Sequence, residues 1–252
     1  MTRFRITLEY DGTDLIGWQE NRQGPSVQSI LRDAIYAFCG VRPDIVAAGR
    51  TDAGVHALGM VAHFDLDGAF DANTVMRAVN FYLAEKPVVI LSCDVVADDF
   101  NARFDCTARH YRYVVLNRHA APVLNKNRVW WVPRKLNIDA MRDAATHLIG
   151  HHDFTSFRAT QCQAKSPIKT LDACNIITDG DNVIFEFSAR SFLHHQVRNM
   201  VGTLVEIGLG KPYDIDEIFA ACNRSAAGPT APASGLYFIS ADYSTDASHS
   251  DI

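Results

Sequence analysis

Segments with the two-residue periodicity of β-strands alternate with segments of helical periodicity along the whole chain. Residues 3–10 alternate apolar and polar side chains, which predicts a half-buried strand. From Ser26, apolar residues recur at helical spacing until Gly40, which predicts a helix that ends there. Further helices are predicted over residues 73–83, 138–149 and 191–210, and further strands over residues 44–48, 60–65, 87–96, 110–117, 171–178, 182–189 and 235–243.

This alternation limits the fold class. Each half of the chain holds two helices and several strands, joined by hairpin-like turns as well as by crossovers. The pattern favours an α+β fold, with two similar α/β modules sharing a mostly antiparallel sheet, over a doubly wound parallel sheet. We place the N-terminal module at residues 1–105, the C-terminal module at residues 106–243 and a flexible tail at residues 244–252.

Length and composition exclude several classes of protein. The 252 residues are 48% hydrophobic, which is enough for a sizeable core. No apolar run is long enough for a membrane helix and the N-terminus lacks the apolar stretch of a signal peptide, so we expect a cytoplasmic protein. The six cysteines are spread out with no CxxC pair, which predicts reduced thiols rather than disulfides or structural zinc.

The net charge of −5 hides one strongly basic stretch. Residues 101–135 carry eight Lys or Arg residues against Asp105 alone, a local charge of +7. Tyrosines and tryptophans are interleaved with these cations, and arginine with aromatic surface is what unstacked RNA bases prefer. The stretch therefore favours an anionic partner, with RNA as the best match. The alternative is a solvated surface whose counter-charges come from residues nearby in space.

One carboxylate lies among unusually small residues. Asp52 belongs to "AAGRTDAGVHALG" (47–59), on a loop between two predicted strands, and its small neighbours leave room for a large ligand. Arg50 lies two positions before it and could keep the carboxylate ionised as a nucleophile. The alternative is an Arg50–Asp52 pair that merely ties the turn together.

Other candidate residues have equally ordinary alternatives. Arg198 interrupts an apolar helical face, so it either meets an anion or extends to solvent. Tyr111 in "RHYRY" could stack on a base or pack in the core, and Arg158 in "HDFTSFR" could contact substrate or shape a loop. His147 and His151 are four residues apart, but Gly150 interrupts the turn, and we expect no metal site.

Six ordered blocks resemble one family. They are "YDGTDLIGWQ" (10–19), "GRTDAGVHALGMVAHFD" (49–65), "FNARFDCTARHYRY" (100–113), "HDFTSFR" (152–158), "FLHHQVRNMVG" (192–202) and "SGLYF" (234–238). Together they are similar to the tRNA pseudouridine synthase A family (the TruA family) from residue 3 to about 243. The sequence departs from the family at Leu15-Ile16, where an aromatic residue is usual, and at Met60, where glutamine is common.

The resemblance implies a pseudouridine synthase fold with a central active-site cleft. It also implies isomerisation of uridine to pseudouridine at nucleotides 38, 39 and 40 of the tRNA anticodon stem-loop. In this family pattern Asp52 matches the catalytic aspartate, Arg50 the arginine that displaces the base, Tyr111 the tyrosine that stacks on the uracil, and Arg198 the arginine paired to the carboxylate. Homodimers with tRNA crossing both subunits, and no metal or organic cofactor, are further implications.

Two more substrate contacts are predicted, and several alternatives stay open. Arg158 and Arg109 are expected to contact the RNA. The carboxylate could attack ribose C1′, add to uracil C6 or remove a proton from C2′. Competing functions are a noncatalytic protein that binds and remodels tRNA, and a glycoside or nucleoside hydrolase that would need a second carboxylate, for which Asp65 and Asp67 are nearest.

Overall fold

A computed structural model describes residues 1–162 and 164–244 of the chain. The described chain forms two compact units, residues 1–109 with the segment that starts at Tyr237, and residues 110–236. The chain passes from the first unit to the second within one long strand, and its last strand belongs to the first unit. Most of the predicted flexible tail, residues 245–252, lies outside the described residues.

The described residues form eleven strands and five α-helices, with three short 3₁₀ segments. In chain order these are β1 (Thr2–Tyr10), α1 (Val27–Cys39), β2 (Val46–Ala47), β3 (His56–Leu66), α2 (Ala72–Leu83), β4 (Val88–Val96), β5 (Cys106–Leu116), β6 (Trp130–Trp131), α3 (Ile138–Thr146), β7 (Gly150–Asp153), β8 (Ile168–Leu171), β9 (Ala173–Asp179), β10 (Asn182–Ala189), α4 (Gln196–Gly208), α5 (Ile215–Ala221) and β11 (Leu236–Tyr243).

The predicted first strand and first helix are both present. Alternate residues of β1 are buried, as its two-residue periodicity predicts. Helix α1 begins after Ser26, whose side chain accepts a hydrogen bond from the backbone N–H of Ser29 and completes a capping box. It ends at Gly40, which adopts the left-handed conformation with φ 74°.

The sheet of the first unit places β1 between β4 and β3, and β11 lies beyond β3. Both partners of β1 run antiparallel to it, while β11 runs parallel to β3. Strand β4 is the edge, and Asn80 of α2 covers part of it. The Asn80 side chain donates to the Ile90 carbonyl and accepts from the Ile90 N–H, each at 2.8 Å. One helix side chain thus occupies the backbone groups that an edge strand otherwise leaves unpaired.

The sheet of the second unit has the order β5-β10-β9, with β6 beside β5. Strands β9 and β10 are antiparallel neighbours, and β7 and β8 form a separate two-stranded sheet. The mixed α+β class with a mostly antiparallel sheet is confirmed. None of the described helices combines the length and the apolar character that crossing a membrane requires.

The predicted helix over residues 191–210 is shorter than expected. Helix α4 starts at Gln196 because His195 adopts a left-handed conformation with φ 62°, which breaks the helix on its N-terminal side. The buried Gln196 side chain accepts a hydrogen bond of 2.8 Å from the backbone N–H of Leu193 and so fixes the turn that enters the helix. Helix α5 was not predicted from the sequence.

Candidate active site

Asp52 lies on the loop that joins β2 to β3, which we call the Asp52 loop (residues 48–55). Its side chain is partly exposed, whereas Thr51 and Val55 on either side are buried. The neighbours thus anchor the backbone in the core and leave the carboxylate on the accessible side. This is the arrangement that the small residues of the motif predict.

The segment before α1 holds the Asp52 loop on both sides of the carboxylate. Before Asp52, the Thr51 carbonyl accepts a hydrogen bond of 3.0 Å from the backbone N–H of Trp18. The Thr51 hydroxyl shares another, of 2.8 Å, with the hydroxyl of Tyr10. After Asp52, the backbone N–H of Gly54 donates to the Leu15 carbonyl at 3.3 Å. The Asp52 backbone therefore has little freedom to move.

Two glycines allow this close approach. A Cβ atom on Gly12 would lie 2.0 Å from the Val55 carbonyl oxygen, and one on Gly17 would lie 2.4 Å from the Thr51 carbonyl oxygen. Gly17 also has φ +101°, a conformation that side chains disfavour. The small residues near Asp52 predict room for a ligand, but no sequence pattern indicated that the glycines of "YDGTDLIGWQ" support the loop.

Arg50 does not form the predicted pair with Asp52. Its side chain is exposed, and within residues 1–162 and 164–244 it makes no hydrogen bond or ion pair. The alternative of an Arg50–Asp52 pair that ties the turn is therefore wrong, and the expectation that Arg50 keeps the carboxylate ionised stays a prediction.

Arg109 is buried rather than exposed to a phosphate. Only 8% of its surface is accessible. Its Nε donates to the carbonyl oxygen of Ala48 at 2.8 Å, and one terminal nitrogen donates to the carbonyl oxygen of Arg103 at 2.7 Å. The guanidinium predicted to contact RNA thus binds two main-chain oxygens, of which that of Ala48 lies at the start of the Asp52 loop.

In the second unit, burial separates the two tyrosines of "RHYRY". Tyr113 is fully buried and donates a hydrogen bond of 2.7 Å to the Pro232 carbonyl, and desolvation raises the pKa of its hydroxyl. Tyr111, on the same strand β5, is partly exposed and packs edge-on against Phe192, with ring centroids 5.1 Å apart. Tyr113 is therefore the core residue, and Tyr111 is the one that retains accessible surface.

Arg198 is held by the chain that follows α5. Its Nε donates to the Ala231 carbonyl at 2.8 Å, and the Ala231 N–H donates back to the Arg198 carbonyl at 3.1 Å. The side chain is partly exposed. The contact with the Ala231 carbonyl fixes the orientation of this partly exposed guanidinium, and an anionic partner for Arg198 stays a prediction.

A polar network beside Arg198 was missed from the sequence. Asn199 is fully buried, and its Oδ1 accepts from Arg224 at 3.0 Å and from the Thr230 hydroxyl at 2.7 Å. Arg224 also donates to the Gly228 carbonyl at 2.9 Å, and burial lowers its pKa. This network fixes the segment that carries Ala231. Its sequence signal is limited to a polar residue, Asn199, directly after Arg198 in α4.

Most of "HDFTSFR" is structural, with Arg158 as the exception. Phe154 and Phe157 are fully buried, and the Ser156 hydroxyl donates to the Ile218 carbonyl at 2.6 Å. Arg158 is partly exposed, and in the described part of the chain its side chain makes no hydrogen bond or ion pair. The core residues of this segment thus position one arginine that has no structural partner there.

The basic stretch is partly neutralised by its neighbours. Arg112 pairs with Glu186 at 2.8 Å and Arg118 with Asp181 at 3.4 Å, as the alternative of nearby counter-charges expects. Other cations of the stretch are exposed at the surface of their own unit, namely Arg103, Lys126, Arg134 and Lys135. The stretch therefore retains exposed positive charge after these pairs are counted.

The two histidines of the predicted helix, His147 and His151, and the carboxylate of Asp65 each contact other residues of the protein. His147 Nδ1 lies 3.0 Å from an Asp216 carboxylate oxygen, and His151 Nδ1 lies 3.0 Å from the Thr170 hydroxyl, so each ring has a different partner. Asp65 accepts two hydrogen bonds of 2.7 Å from Arg3, which lowers the pKa of the carboxyl group. An acid held ionised in this way is unsuited to donate a proton, which argues against Asp65 as the general acid of a hydrolase.

Asp65→Asn is expected to lower the free energy of unfolding at neutral pH by up to about 1 kcal/mol, since the pair with Arg3 is partly exposed. The folded pKa lies below its ordinary value of 3.8. The pair therefore contributes fully above that value and is lost as the pH falls through the folded pKa. Urea unfolding should show that the difference in the free energy of unfolding between parent and variant narrows as the pH falls from about 5 to about 2. A difference in free energy that stays constant over this range would contradict a stabilising pair between Arg3 and Asp65.

Comparison with known proteins finds several similar ones. A family model described as tRNA pseudouridine synthase matches residues 144–244. The tRNA pseudouridine synthase A of Rhodospirillum rubrum is 51% identical over 95% of this chain and 87% of that relative. The enzymes of the same name are 49% identical in Paramagnetospirillum magneticum, over 97% of this chain and 96% of the relative, and 53% identical in Rhodospirillum centenum, over 96% and 100%. With half of the residues identical over nearly its whole length, the chain belongs to the tRNA pseudouridine synthase A family.

Proposed function

We propose that this protein is an isomerase that converts uridine to pseudouridine at positions 38, 39 and 40 of the tRNA anticodon stem-loop, with Asp52 as its catalytic carboxylate. The observation that carries the proposal is the Asp52 loop itself. In a member of a pseudouridine synthase family, it presents a partly exposed carboxylate on a backbone pinned on both sides. Rigid support of this kind is what a reacting group needs.

The reaction requires the target base to leave its stack. Everting a nucleotide costs a few kcal/mol, and stacking on an aromatic side chain returns roughly 1–3 kcal/mol. Tyr111 is the proposed stacking partner, because it keeps accessible surface while Tyr113 fills the core. Arg50 is exposed and has no partner in the described residues. It is proposed to help displace the base by entering the space that the everted base leaves.

Asp52 then acts on the everted nucleoside. The C–N glycosidic bond breaks, the uracil turns, and a C–C bond forms to the same ribose, with no net oxidation or hydrolysis. The carboxylate could attack C1′, add to C6 of the uracil or take a proton from C2′. Arg198 is proposed as the cation paired with the carboxylate, and the contact with Ala231 orients its guanidinium. Such a pair favours the ionised form of an acid.

Arg158 is proposed as a further contact to the RNA, since it is partly exposed without a structural partner in the described part of the chain. We also infer that the protein works as a homodimer in the cytoplasm. All six cysteines, which lie within the described residues, are free thiols, as is usual in a reducing compartment.

Mapping of modified positions tests the function directly. An unmodified tRNA transcript with uridines at 38, 39 and 40 is incubated with the protein, and pseudouridine is located by chemical probing. Pseudouridine at these positions is expected, and no free uracil should be released. Binding without conversion would favour the noncatalytic tRNA-binding protein, and release of uracil would favour the hydrolase.

Binding of tRNA is expected to weaken with salt. Each phosphate that a Lys or Arg neutralises releases counterions, so the logarithm of affinity should fall linearly with the logarithm of salt concentration. With several exposed cations in residues 101–135, the affinity should fall about tenfold or more between ~50 and ~200 mM salt. Filter binding at constant pH measures this. A flat dependence would contradict a phosphate-binding role for the basic stretch.

A further inference from the structure

Arg109 connects two segments of the first unit through main-chain oxygens. It lies near the start of β5, and its guanidinium binds the carbonyl oxygens of Ala48 and Arg103 at 2.8 and 2.7 Å. We propose that Arg109 is a positioning residue for Asp52, which sets the incoming end of the Asp52 loop, and is not a contact to tRNA. This proposal rests on the proposed catalytic role of Asp52.

The turn that supplies one acceptor is itself firmly held. Next to Arg103, the backbone N–H of Ala102 donates to Nδ1 of His63 at 3.1 Å, and the Ala102 carbonyl accepts from the Tyr243 hydroxyl at 2.7 Å. The Asn101 side chain accepts from the backbone N–H of Arg103 at 3.0 Å. A guanidinium bonded to this turn is therefore anchored to a rigid part of the unit.

The other acceptor lies where the Asp52 loop begins. Ala48 is buried, and its N–H donates to the Val61 carbonyl at 2.8 Å. The strand before it, β2, has only two residues. The contacts from Tyr10 and Trp18 reach the loop at Thr51, whereas the Arg109 side chain holds it at the Ala48 carbonyl. Loss of this contact would loosen the end of the loop four residues before Asp52.

The geometry requires an arginine rather than a positive charge alone. A planar guanidinium offers several donors in a fixed fork, so that one group binds two oxygens of different segments in fixed directions. A lysine ammonium keeps the charge but not the fork. A phosphate contact would tolerate Arg109→Lys, since Lys also binds phosphate as a point charge. A positioning role would not tolerate it.

The test compares Arg109→Lys with the parent protein in single-turnover conversion and in tRNA binding. We expect the conversion rate at saturating tRNA to fall about a hundred-fold, the effect typical of a small misplacement of a reacting group. The dissociation constant and the slope of its salt dependence should stay within error of the parent values. Arg103→Gln is the matched control, because this nearby arginine is exposed and its loss should act on affinity and salt slope.

Two results would overturn the proposal. One is a conversion rate within threefold of the parent in Arg109→Lys. The other is a weaker affinity with a salt slope reduced by about one, which is the signature of a lost phosphate contact. If Arg109→Lys does not fold, Arg109→Gln replaces it. Failure of both variants to fold would also overturn the proposal, because Arg109 would then be required for the fold and not for local positioning.

Hydrogen exchange keeps this test separate from the role of Asp52. In the free protein, Arg109→Lys is expected to speed exchange of the amides in residues 48–55 without a similar change in α1, and this measurement needs no catalysis. If these amides are unchanged, the positioning role fails whatever Asp52 does. If they exchange faster while Asp52→Ala retains turnover, the proposed catalytic residue fails and the mechanical link from Arg109 to the loop stands.

Discussion

Asp52→Ala is expected to abolish formation of pseudouridine, with a loss of at least about a thousand-fold in the rate of conversion. The proposed chemistry uses one carboxylate at C1′, C6 or C2′, and an alanine side chain can act at none of these atoms. The affinity for tRNA should change by less than threefold, because the proposed phosphate contacts are Lys and Arg side chains and not Asp52. The measurement is single-turnover conversion of a tRNA transcript, followed by mapping, beside filter binding of the same tRNA.

Asp52→Asn is the matched control, since it keeps the shape of the side chain and removes its charge and basicity. It should be as inactive as the alanine variant if the carboxylate reacts as a nucleophile or base. Both variants should remain folded, because the hydrogen bonds to Thr51 and Gly54 hold this loop, and thermal unfolding beside the parent checks this. Retained turnover, or equal losses of binding and conversion, would refute the assignment.

Gly17→Ala is expected to damage the site through the backbone. The added Cβ would lie 2.4 Å from the Thr51 carbonyl oxygen and 2.9 Å from the Asp52 carbonyl carbon. Because φ at Gly17 is +101°, a side chain there is strained whatever space is available. Overpacking of this kind costs about 1–3 kcal/mol, and relief requires the Asp52 loop to shift. We therefore expect a lower thermal midpoint and a conversion rate reduced about a hundred-fold.

Gly24→Ala is the control for this variant. A Cβ on Gly24 meets only the end of the Ile16 side chain, at 3.1 Å, and a side chain can move aside where a carbonyl group cannot. This variant should keep most of its stability and its conversion rate. Affinity for tRNA should be retained in both variants. A Gly17→Ala protein with the parent's rate would show that the contact between residue 17 and Thr51 does not control the carboxylate.

The elements that the sequence predicts well are those with strong local signals. Helix α1 combines apolar residues at helical spacing, a Ser26 cap and a terminal glycine, and each signal acts within a few residues. The start of α4 is different. Apolar spacing continues back to residue 191, but His195 adopts a left-handed conformation, and nothing in local propensity predicts this. The Gln196 side chain and the Leu193 backbone stabilise the turn.

The candidate site shows the same division. Small residues around a carboxylate were enough to place Asp52 on an accessible loop. They were not enough to find Arg109 beneath the loop, because its partner Ala48 is 61 residues away in the chain. Charge patterns do not distinguish a buried arginine that binds carbonyl groups from an exposed one that binds phosphate. The same is true of Arg112, which pairs with Glu186 across two strands of one sheet.

Periodicity, caps and motif spacing by themselves determine the α+β class, most strands and helices, and the loop that carries Asp52, because each depends on residues close together in the chain. Only the tertiary structure decides that Tyr111 is accessible while Tyr113 lies in the core. It also decides that Gly12 and Gly17 support the Asp52 loop. The same holds for Arg109, which donates hydrogen bonds to main-chain carbonyl oxygens. These outcomes depend on which distant groups meet in space. Burial and hydrogen-bond geometry, which no local pattern encodes, then select one role for side chains of the same type.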